Sequence, residues 1–194
     1  MIVTLDSGDA LILVDVQNDF LPGGSLAVPM GNEVIPILNR YISLFHAHGL
    51  GIFATRDWHP PDHSSFLEQG GAWPPHCIAA TPGAAFPASL EFPCDTQIIS
   101  KATNRGKDAY SGFDDTQLEP LLKWSGIGRV FIGGLATEYC VLNTVKDALE
   151  YRYVTFVLED AVRAMNISTD DGRQALEEMT RLGAIPIRFE SLAA

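Results

Sequence analysis

The chain has 194 residues, of which 46% are hydrophobic and 19% are charged, so it is too apolar to be disordered and has the composition of a globular protein. Thirteen basic and twenty-four acidic residues give a net charge of −11, which disfavours nonspecific binding to nucleic acid or anionic lipid. We therefore predict a single domain over residues 1–194 that acts on a small-molecule substrate.

The sequence also predicts a cytoplasmic protein. Its first segment has no basic region of the kind that begins a secretory signal, and Asp15 interrupts the first apolar run. No apolar run reaches the length of a membrane span. Three cysteines, an odd number, suit reduced thiols better than a disulfide framework. A homo-oligomer is compatible with the sequence, but no pattern identifies its interface.

Short apolar runs rich in Ile, Val and Phe recur along the chain and predict buried strands. They cover residues 10–16, 51–55, 97–100, 129–132, 154–158 and 184–188. Amphipathic helical patterns separate several of them, at residues 34–45 before Gly49, at 138–152, and at 169–182 before Gly183. This alternation predicts an α/β fold of three layers, α/β/α, around a mainly parallel six-stranded sheet.

Two long irregular stretches, residues 57–95 and 101–114, directly follow predicted strands. A compact domain usually keeps such stretches for function. Because ligands bind at the carboxyl ends of the strands in sheets of this kind, both stretches are expected at the functional edge.

The first irregular stretch begins DWHPPDHSSFLEQGGAWPPHC, residues 57–77, and holds three of the five histidines. Asp57 and His59 lie two apart after a strand, so their side chains point the same way. With His63 and His76 they would give one carboxylate and three imidazoles, which suits a divalent ion such as zinc, manganese or iron. Exposed loop histidines are the alternative, and the residues alone leave both interpretations open.

Neighbouring residues of the same types are given ordinary roles. Cys77, next to His76, is expected to point elsewhere, and both Cys77 and Cys94 are expected to be small buried side chains. His46 and His48 lie near a helix end with diverging directions, so we expect them at the surface.

Two charged residues end predicted strands. Asp15 follows five residues of buried strand, and Lys101 ends the strand TQIIS. Each is compatible with a structural ion pair or with catalysis, since an isolated buried charge is costly. If their strands are neighbours, the two side chains can meet as a pair.

A cysteine follows a strand and two glycines in RVFIGGLATEYCVLNTV, residues 129–145. Cys140 falls in the first turn of a predicted helix, where free N–H groups and the helix dipole would stabilise a thiolate and lower its pKa. The same N–H groups could receive an oxyanion. A small buried cysteine is the alternative, but this position favours a nucleophile.

Taken in order, the motifs resemble the nicotinamidases within the isochorismatase-like cysteine hydrolases. The resemblance runs from LILVDVQNDFLPGGSLAV through TRDWHPPDHSSF, WPPHC, SKATNRGKDAYSGF and GGLATEYCV to LEDAVRA. It implies a catalytic triad of Asp15, Lys101 and Cys140. It also implies a cis peptide between Leu135 and Ala136, which directs the N–H groups of Ala136 and Cys140 into an oxyanion hole.

The resemblance also implies a metal site and a substrate pocket. The metal ligands would be Asp57, His59 and His76; His63 matches a position that some members fill with histidine and others with a different ligand. Isochorismatases share the fold but lack this metal set, so the cluster separates the two branches. The residues that match the walls of an aromatic pocket are Phe20, Trp73 and Tyr110, and Tyr139 stands where some relatives carry histidine.

The expected reaction is hydrolysis of nicotinamide to nicotinate and ammonia through a thioester, and pyrazinamide is expected as a second substrate. The expected cofactor is one divalent ion, with zinc as the first choice. The expected role is in NAD salvage. One alternative is a related enzyme acting on another small amide, such as a carbamoyl or ureido compound, or on an ester. The other is a non-catalytic module that binds a metal or a metabolite. The acid, lysine and cysteine together argue against that module, because a binding protein does not need the nucleophile.

Overall fold

The computed structural model describes residues 2–193 and contains a six-stranded parallel sheet. Its strands are β2 (Asp9–Val14), β3 (Gly51–Asp57), β4 (Gln97–Lys101), β5 (Arg129–Leu135), β6 (Val154–Arg163) and β7 (Ile185–Ile187), in the order β4-β3-β2-β5-β6-β7. Two short strands, β1 (Val3–Thr4) and β8 (Leu192–Ala193), pair separately in parallel. The order reverses direction at β2, which is the type of switch point where such sheets bind ligands.

Helices cover both faces of the sheet. The helices are α1 (Val34–Ala47), α2 (Leu118–Trp124), α3 (Leu142–Glu150) and α4 (Asp171–Leu182), and a π-helical turn, Thr137–Val141, leads into α3. The buried stripe of α1 packs with alternate β2 residues such as Leu11 and Leu13. The other β2 residues, such as Ile12, pack on the opposite face with α2, α3 and α4. The predicted three-layer α/β/α fold with six parallel strands is thus confirmed.

The structure moves several predicted boundaries. The strand predicted to reach residue 16 ends at Val14, because Asp15 adopts a left-handed φ of 50° and turns out of the sheet. Strand β6 runs five residues further than predicted, past an irregularity in its pairing with β5. Helix α2 was not predicted, since seven residues are too few to establish a helical period.

Gly134 allows β2 and β5 to approach closely next to the carboxyl edge. Its φ is +130°, and a Cβ atom there would lie 2.1 Å from the carbonyl oxygen of Val14. The next peptide, Leu135–Ala136, is cis, which confirms the prediction from the motif. Among residues 2–193, no helix combines the length and the apolar character needed to cross a bilayer.

Candidate active site

The structure brings together an acid, a cation and a thiol at the carboxyl edge of the sheet. Asp15 follows β2, Lys101 ends β4 and Cys140 lies in the turn after β5. The Nζ atom of Lys101 lies 3.0 Å from Oδ2 of Asp15 and 3.5 Å from Sγ of Cys140. The predicted ion pair between Asp15 and Lys101 is therefore confirmed, although β3 separates their strands in the sheet.

Lys101 is almost fully buried, and its ammonium group donates to Oδ1 of Asp57 at 2.5 Å, to the carbonyl of Ala109 at 2.9 Å and to Sγ of Cys140 at 3.5 Å. Oδ2 of Asp15, at 3.0 Å, adds a second carboxylate charge next to it. A buried ammonium group needs such a set of partners to remain charged. It lies between two carboxylates and beside the thiol, so its charge stabilises any negative charge that moves between them.

The pKa values of these groups reflect burial opposed by ion pairing. Burial raises the pKa of Asp15, and Lys101 opposes that shift only in part. Burial lowers the pKa of Lys101, but the two carboxylates overcome it and hold the pKa well above its usual value. Lys101 is therefore charged, while Asp15 is a stronger base than an exposed aspartate.

The expectation of a lowered thiol pKa at Cys140 is wrong. Burial raises the pKa of Cys140 well above its ordinary value, and the nearby carboxylates add to this effect, while Lys101 opposes it. The helix N-terminus therefore does not by itself supply a thiolate. Because the thiol is protonated at rest, attack on a substrate requires a base, and Asp15 is the carboxylate next to it.

A second cluster lies beside this group. Three ligand atoms, one each from Asp57, His59 and His76, lie within 4.8 Å of one another. Backbone hydrogen bonds join His59, just after β3, to residues 77–79 of the same loop. The His59 N–H donates to the Cys77 carbonyl at 3.0 Å, and the Ala79 N–H donates to the His59 carbonyl at 2.8 Å. This pairing brings His76 next to Asp57.

The chemistry of this cluster fits a divalent cation. Both ring nitrogens of His59 are buried, and neither has a hydrogen-bond partner among the described residues. His76 bonds the Pro74 carbonyl through Nδ1 at 2.8 Å, which leaves Nε2 as the lone-pair nitrogen. Burial lowers the pKa of His76, so its ring is neutral, as a ligand must be.

Asp57 is anionic in the same cluster. Burial raises its pKa, but Lys101 and His59 outweigh burial and hold the pKa of Asp57 below its usual value. One anionic carboxylate oxygen with two imidazole nitrogens is a ligand set typical of zinc with positions left open.

His63, the fourth candidate ligand, is not among the three residues whose ligand atoms cluster in the structure. Its Nε2 lies 3.2 Å from the Lys107 carbonyl, which can only accept, so this nitrogen carries the proton. The other nitrogen, Nδ1, then accepts from the Ser65 hydroxyl at 2.7 Å. Neither nitrogen keeps a free lone pair, and the ring instead packs against His59 with centroids 4.2 Å apart.

The predicted aromatic residues line one pocket above these two clusters. Trp73 Nε1 donates to the Tyr110 hydroxyl at 3.0 Å, and the Trp73 and Tyr139 rings meet edge to face with centroids 5.3 Å apart. Phe20 lies against the His76 ring at 5.6 Å. The pocket has a volume of about 450 Å³ including its mouth, and it also contains Asp57, His59, Ala136 and Cys140 in its lining. A flat ring that enters it would meet aromatic walls, the histidine cluster and the thiol.

The turn after β5 brings Ala136 and Cys140 to the same pocket. Ala136 precedes the π-helical turn that carries Cys140, and the Ala136 carbonyl accepts the N–H groups of Tyr139 and Val141. The Ala136 carbonyl is thus held inside the turn, while Ala136 and Cys140 both face the pocket. This is the region where the sequence predicts an oxyanion hole.

Sequence reasoning missed several buried polar residues that hold the site. The Gln17 amide pairs with the Asp57 backbone, donating to its carbonyl at 2.8 Å and accepting its N–H at 2.8 Å. The Thr55 hydroxyl donates to Asp15 Oδ1 at 2.6 Å. The available signal in the sequence was a polar residue within or just after an apolar strand. Apolar residues from distant segments, Leu26, Val28 and Met165, complete the pocket without any sequence signal.

The remaining cysteines and histidines have structural positions. All three cysteines are free, as predicted. Cys77 is buried as expected, but Cys94 is exposed, because its loop lies at the surface, so its predicted burial is wrong. His46 and His48 are exposed at the end of α1, where His48 Nδ1 lies 2.9 Å from the Leu44 carbonyl.

Comparison with known proteins places the chain in a family. The model of the Isochorismatase domain matches residues 9–191. The nicotinamidase of Escherichia coli is 37% identical over 196 residues, covering 90% of this chain and 92% of that protein. The chain therefore belongs to the isochorismatase family, and the resemblance seen in its motifs is confirmed.

Solved structures agree with this assignment. The pyrazinamidase of Pyrococcus horikoshii, crystallised in complex with zinc, is 49% identical with a TM-score of 0.90, covering 94% of this chain and 99% of that one. PnC1 from L. infantum, crystallised in complex with nicotinate, is 34% identical with a TM-score of 0.92, and each chain is fully covered.

Proposed function

We propose that the protein is a nicotinamidase, which hydrolyses nicotinamide to nicotinate and ammonia and also accepts pyrazinamide. The observation that carries this proposal is the meeting of Asp15, Lys101 and Cys140 in one pocket with the metal-type cluster and the aromatic walls. The names of the relatives and the ligands of the solved structures support the same substrate class. The nicotinate produced would enter NAD salvage.

Asp57, His59 and His76 would hold one divalent ion, with zinc as the first choice. Such an ion, when bound, would supply Lewis acidity that orients the pyridine ring and withdraws electrons from it. The aromatic walls would hold the ring flat, so that the carboxamide carbon lies next to Cys140.

The first chemical step needs the thiol proton to move. Asp15 accepts it through Oδ2, and the sulfur forms a bond to the carboxamide carbon while the carbonyl electron pair moves to oxygen. The N–H groups of Ala136 and Cys140 would donate to that oxyanion. Lys101 keeps its charge throughout and offsets the negative charge on whichever group holds it.

Collapse of the tetrahedral species breaks the bond to nitrogen. Asp15 returns its proton to the leaving group, so ammonia departs and a thioester remains on Cys140. Asp15 then takes a proton from a water molecule, which attacks the thioester carbon. Cleavage of the carbon–sulfur bond releases nicotinic acid, which ionises to nicotinate, and Asp15 returns its proton to the sulfur to restore the thiol.

An assay of ammonia release with three amides tests this proposal. We expect turnover with nicotinamide and pyrazinamide and much weaker turnover with benzamide, which lacks the ring nitrogen. Cys140→Ala should abolish turnover and leave the fold intact, while Cys94→Ala, a control at an exposed cysteine, should not change it. A covalent adduct with the mass of the nicotinoyl group on quenched wild-type enzyme would support the thioester.

Three results would contradict the proposal. Ammonia release from carbamoyl or ureido compounds but not from nicotinamide would favour a related amidohydrolase. No release from any amide, with nicotinamide bound, would favour a non-catalytic binding module. A sizeable rate with Cys140→Ala would remove the covalent mechanism.

A further inference from the structure

The two oxygens of the Asp15 carboxylate have different surroundings. Oδ1 accepts a hydrogen bond of 2.6 Å from the Thr55 hydroxyl. Oδ2 is buried and has no hydrogen-bond donor among residues 2–193. Lys101 Nζ lies 3.0 Å from Oδ2 but is not in hydrogen-bond geometry, so it acts on this oxygen as a charge. Oδ2 is therefore the Asp15 oxygen on which no hydrogen-bond donor of the described residues competes with an incoming proton.

Thr55 holds Asp15 at three points. It lies fully buried in β3, next to the strand that Asp15 follows. Its hydroxyl accepts the Asp15 N–H at 3.3 Å while donating to the Asp15 carboxylate, and its carbonyl accepts the same N–H at 3.2 Å. The hydroxyl thus connects the Asp15 side chain to the Asp15 backbone at the residue where the chain leaves the sheet with φ 50°.

We propose that Thr55 is a positioning residue of the reaction, which occupies Oδ1 of Asp15 and so directs Oδ2 towards the Cys140 thiol. This inference rests on the proposed function in one respect, namely that Asp15 is the base. Without the hydroxyl, Oδ1 would lose the donor that fixes it, and the carboxylate plane could turn so that neither oxygen stays in line with the Cys140 thiol. Misplacement of a reacting group by about 1 Å is enough to cost on the order of 100-fold in rate.

Two pairs of substitutions separate the hydroxyl from the rest of the side chain. Thr55→Val keeps the shape and removes the hydroxyl, whereas Thr55→Ser keeps the hydroxyl and removes the methyl group. Thr155→Val is the matched control, since Thr155 is a buried threonine of the same sheet. Within residues 2–193, its hydroxyl bonds only the Tyr153 carbonyl, at 3.1 Å. If Thr55→Val does not fold, Thr55→Ala and Thr55→Ser form a second pair that differs by the hydroxyl alone.

We expect Thr55→Val to lower kcat for nicotinamide by about 10- to 100-fold with KM changed less than about threefold. Thr55→Ser should stay within about threefold of wild type in kcat, and Thr155→Val should match wild type. The metal content of all variants should be equal. In the Ala and Ser pair, the loss of kcat should appear in Thr55→Ala alone.

A measurement without substrate tests the proton transfer directly. The rate at which iodoacetamide alkylates Cys140, followed by mass spectrometry of its peptide, reports how readily the thiol is deprotonated. It should fall in Thr55→Val by a factor similar to kcat and should be retained in Thr55→Ser.

Several outcomes would overturn the inference. One is a kcat of Thr55→Val within twofold of wild type, and another is an equal loss of kcat in Thr55→Val and Thr55→Ser. Equal kcat in Thr55→Ala and Thr55→Ser would also overturn it, as would a lower rate that a change in metal content or KM explains. An alkylation rate that the loss of the hydroxyl leaves unchanged would also overturn it. The proposed function fails separately, if wild-type enzyme does not hydrolyse nicotinamide, and the alkylation rates then still test the contact between Thr55 and Asp15.

Discussion

Replacing Lys101 by methionine should make two buried carboxylates repel each other. The ammonium group lies 3.0 Å from Asp15 Oδ2 and 2.5 Å from Asp57 Oδ1, and all three side chains are buried. Methionine is similar in length but carries no charge. We expect Lys101→Met to lose most hydrolytic activity and to be markedly less stable than wild type near neutral pH.

The size of this loss follows from the geometry. Oxygens of Asp15 and Asp57 lie within 4.8 Å of each other. At an effective dielectric constant of about 20, two unit charges at that distance repel by about 3 to 4 kcal/mol. Removing one partner of a buried ion pair typically costs about 3–5 kcal/mol, so the two arguments agree.

The loss should also depend on pH with a definite sign. Without Lys101, the group that most strongly opposes the effect of burial on Asp15 is lost, so the folded-state pKa of Asp15 rises further above the unfolded value of about 3.9. A carboxyl group whose folded pKa is raised destabilises the protein increasingly as pH rises through the interval between the two values. The deficit of the variant should therefore shrink as the pH falls from neutral towards the unfolded pKa.

Urea unfolding of the chelator-treated protein at about pH 7 and about pH 5 measures this. Lys123→Met is the control, since that side chain is 79% exposed and its pair with Glu119 should contribute less than about 0.5 kcal/mol. Wild-type stability in Lys101→Met at pH 7, or a deficit that grows on acidification, would refute the reasoning.

Three further predictions concern the pH dependence, the ligand set and its support. Burial raises the pKa of Asp15, so kcat/KM should fall on the acid side at a pH above the ordinary carboxyl value of about 3.9; the profile of wild type compared with Asp15→Asn checks this, and an acid limb at the ordinary value contradicts it. His59→Ala should bind little metal by elemental analysis after dialysis, whereas His63→Ala should retain most of it, because both His63 ring nitrogens are already bonded; equal losses would return His63 to the ligand set. Gln17→Leu removes both bonds to the Asp57 backbone and should weaken metal binding by about 10- to 100-fold in a chelator competition, and unchanged affinity would show that Asp57 does not need this support.

Local pattern was sufficient for much of the fold. The apolar runs predicted all six strands of the main sheet, and the glycines after α1 and α4 marked where those helices end. Strand ends were less predictable, because they depend on backbone conformations such as the left-handed φ of Asp15. Helix α2 was missed since its packing under the sheet, rather than its own period, stabilises it.

The site was predicted residue by residue but not atom by atom. Spacing placed Asp57 and His59 on one side of an extended segment, and the structure has them in one cluster with His76. Nothing in the spacing distinguished His63 from His76, since the difference is whether a neighbouring carbonyl or hydroxyl takes the ring nitrogens.

The sequence by itself determined which segments become strands and which reactive side chains follow them, because strand and helix periodicity are local properties of the chain. The tertiary structure decided the protonation of Cys140, the fit of Lys101 between two acids, and which Asp15 oxygen accepts the Thr55 hydroxyl. These depend on burial and on distances between segments far apart in the chain. Both set electrostatic energies of several kcal/mol that no local pattern encodes.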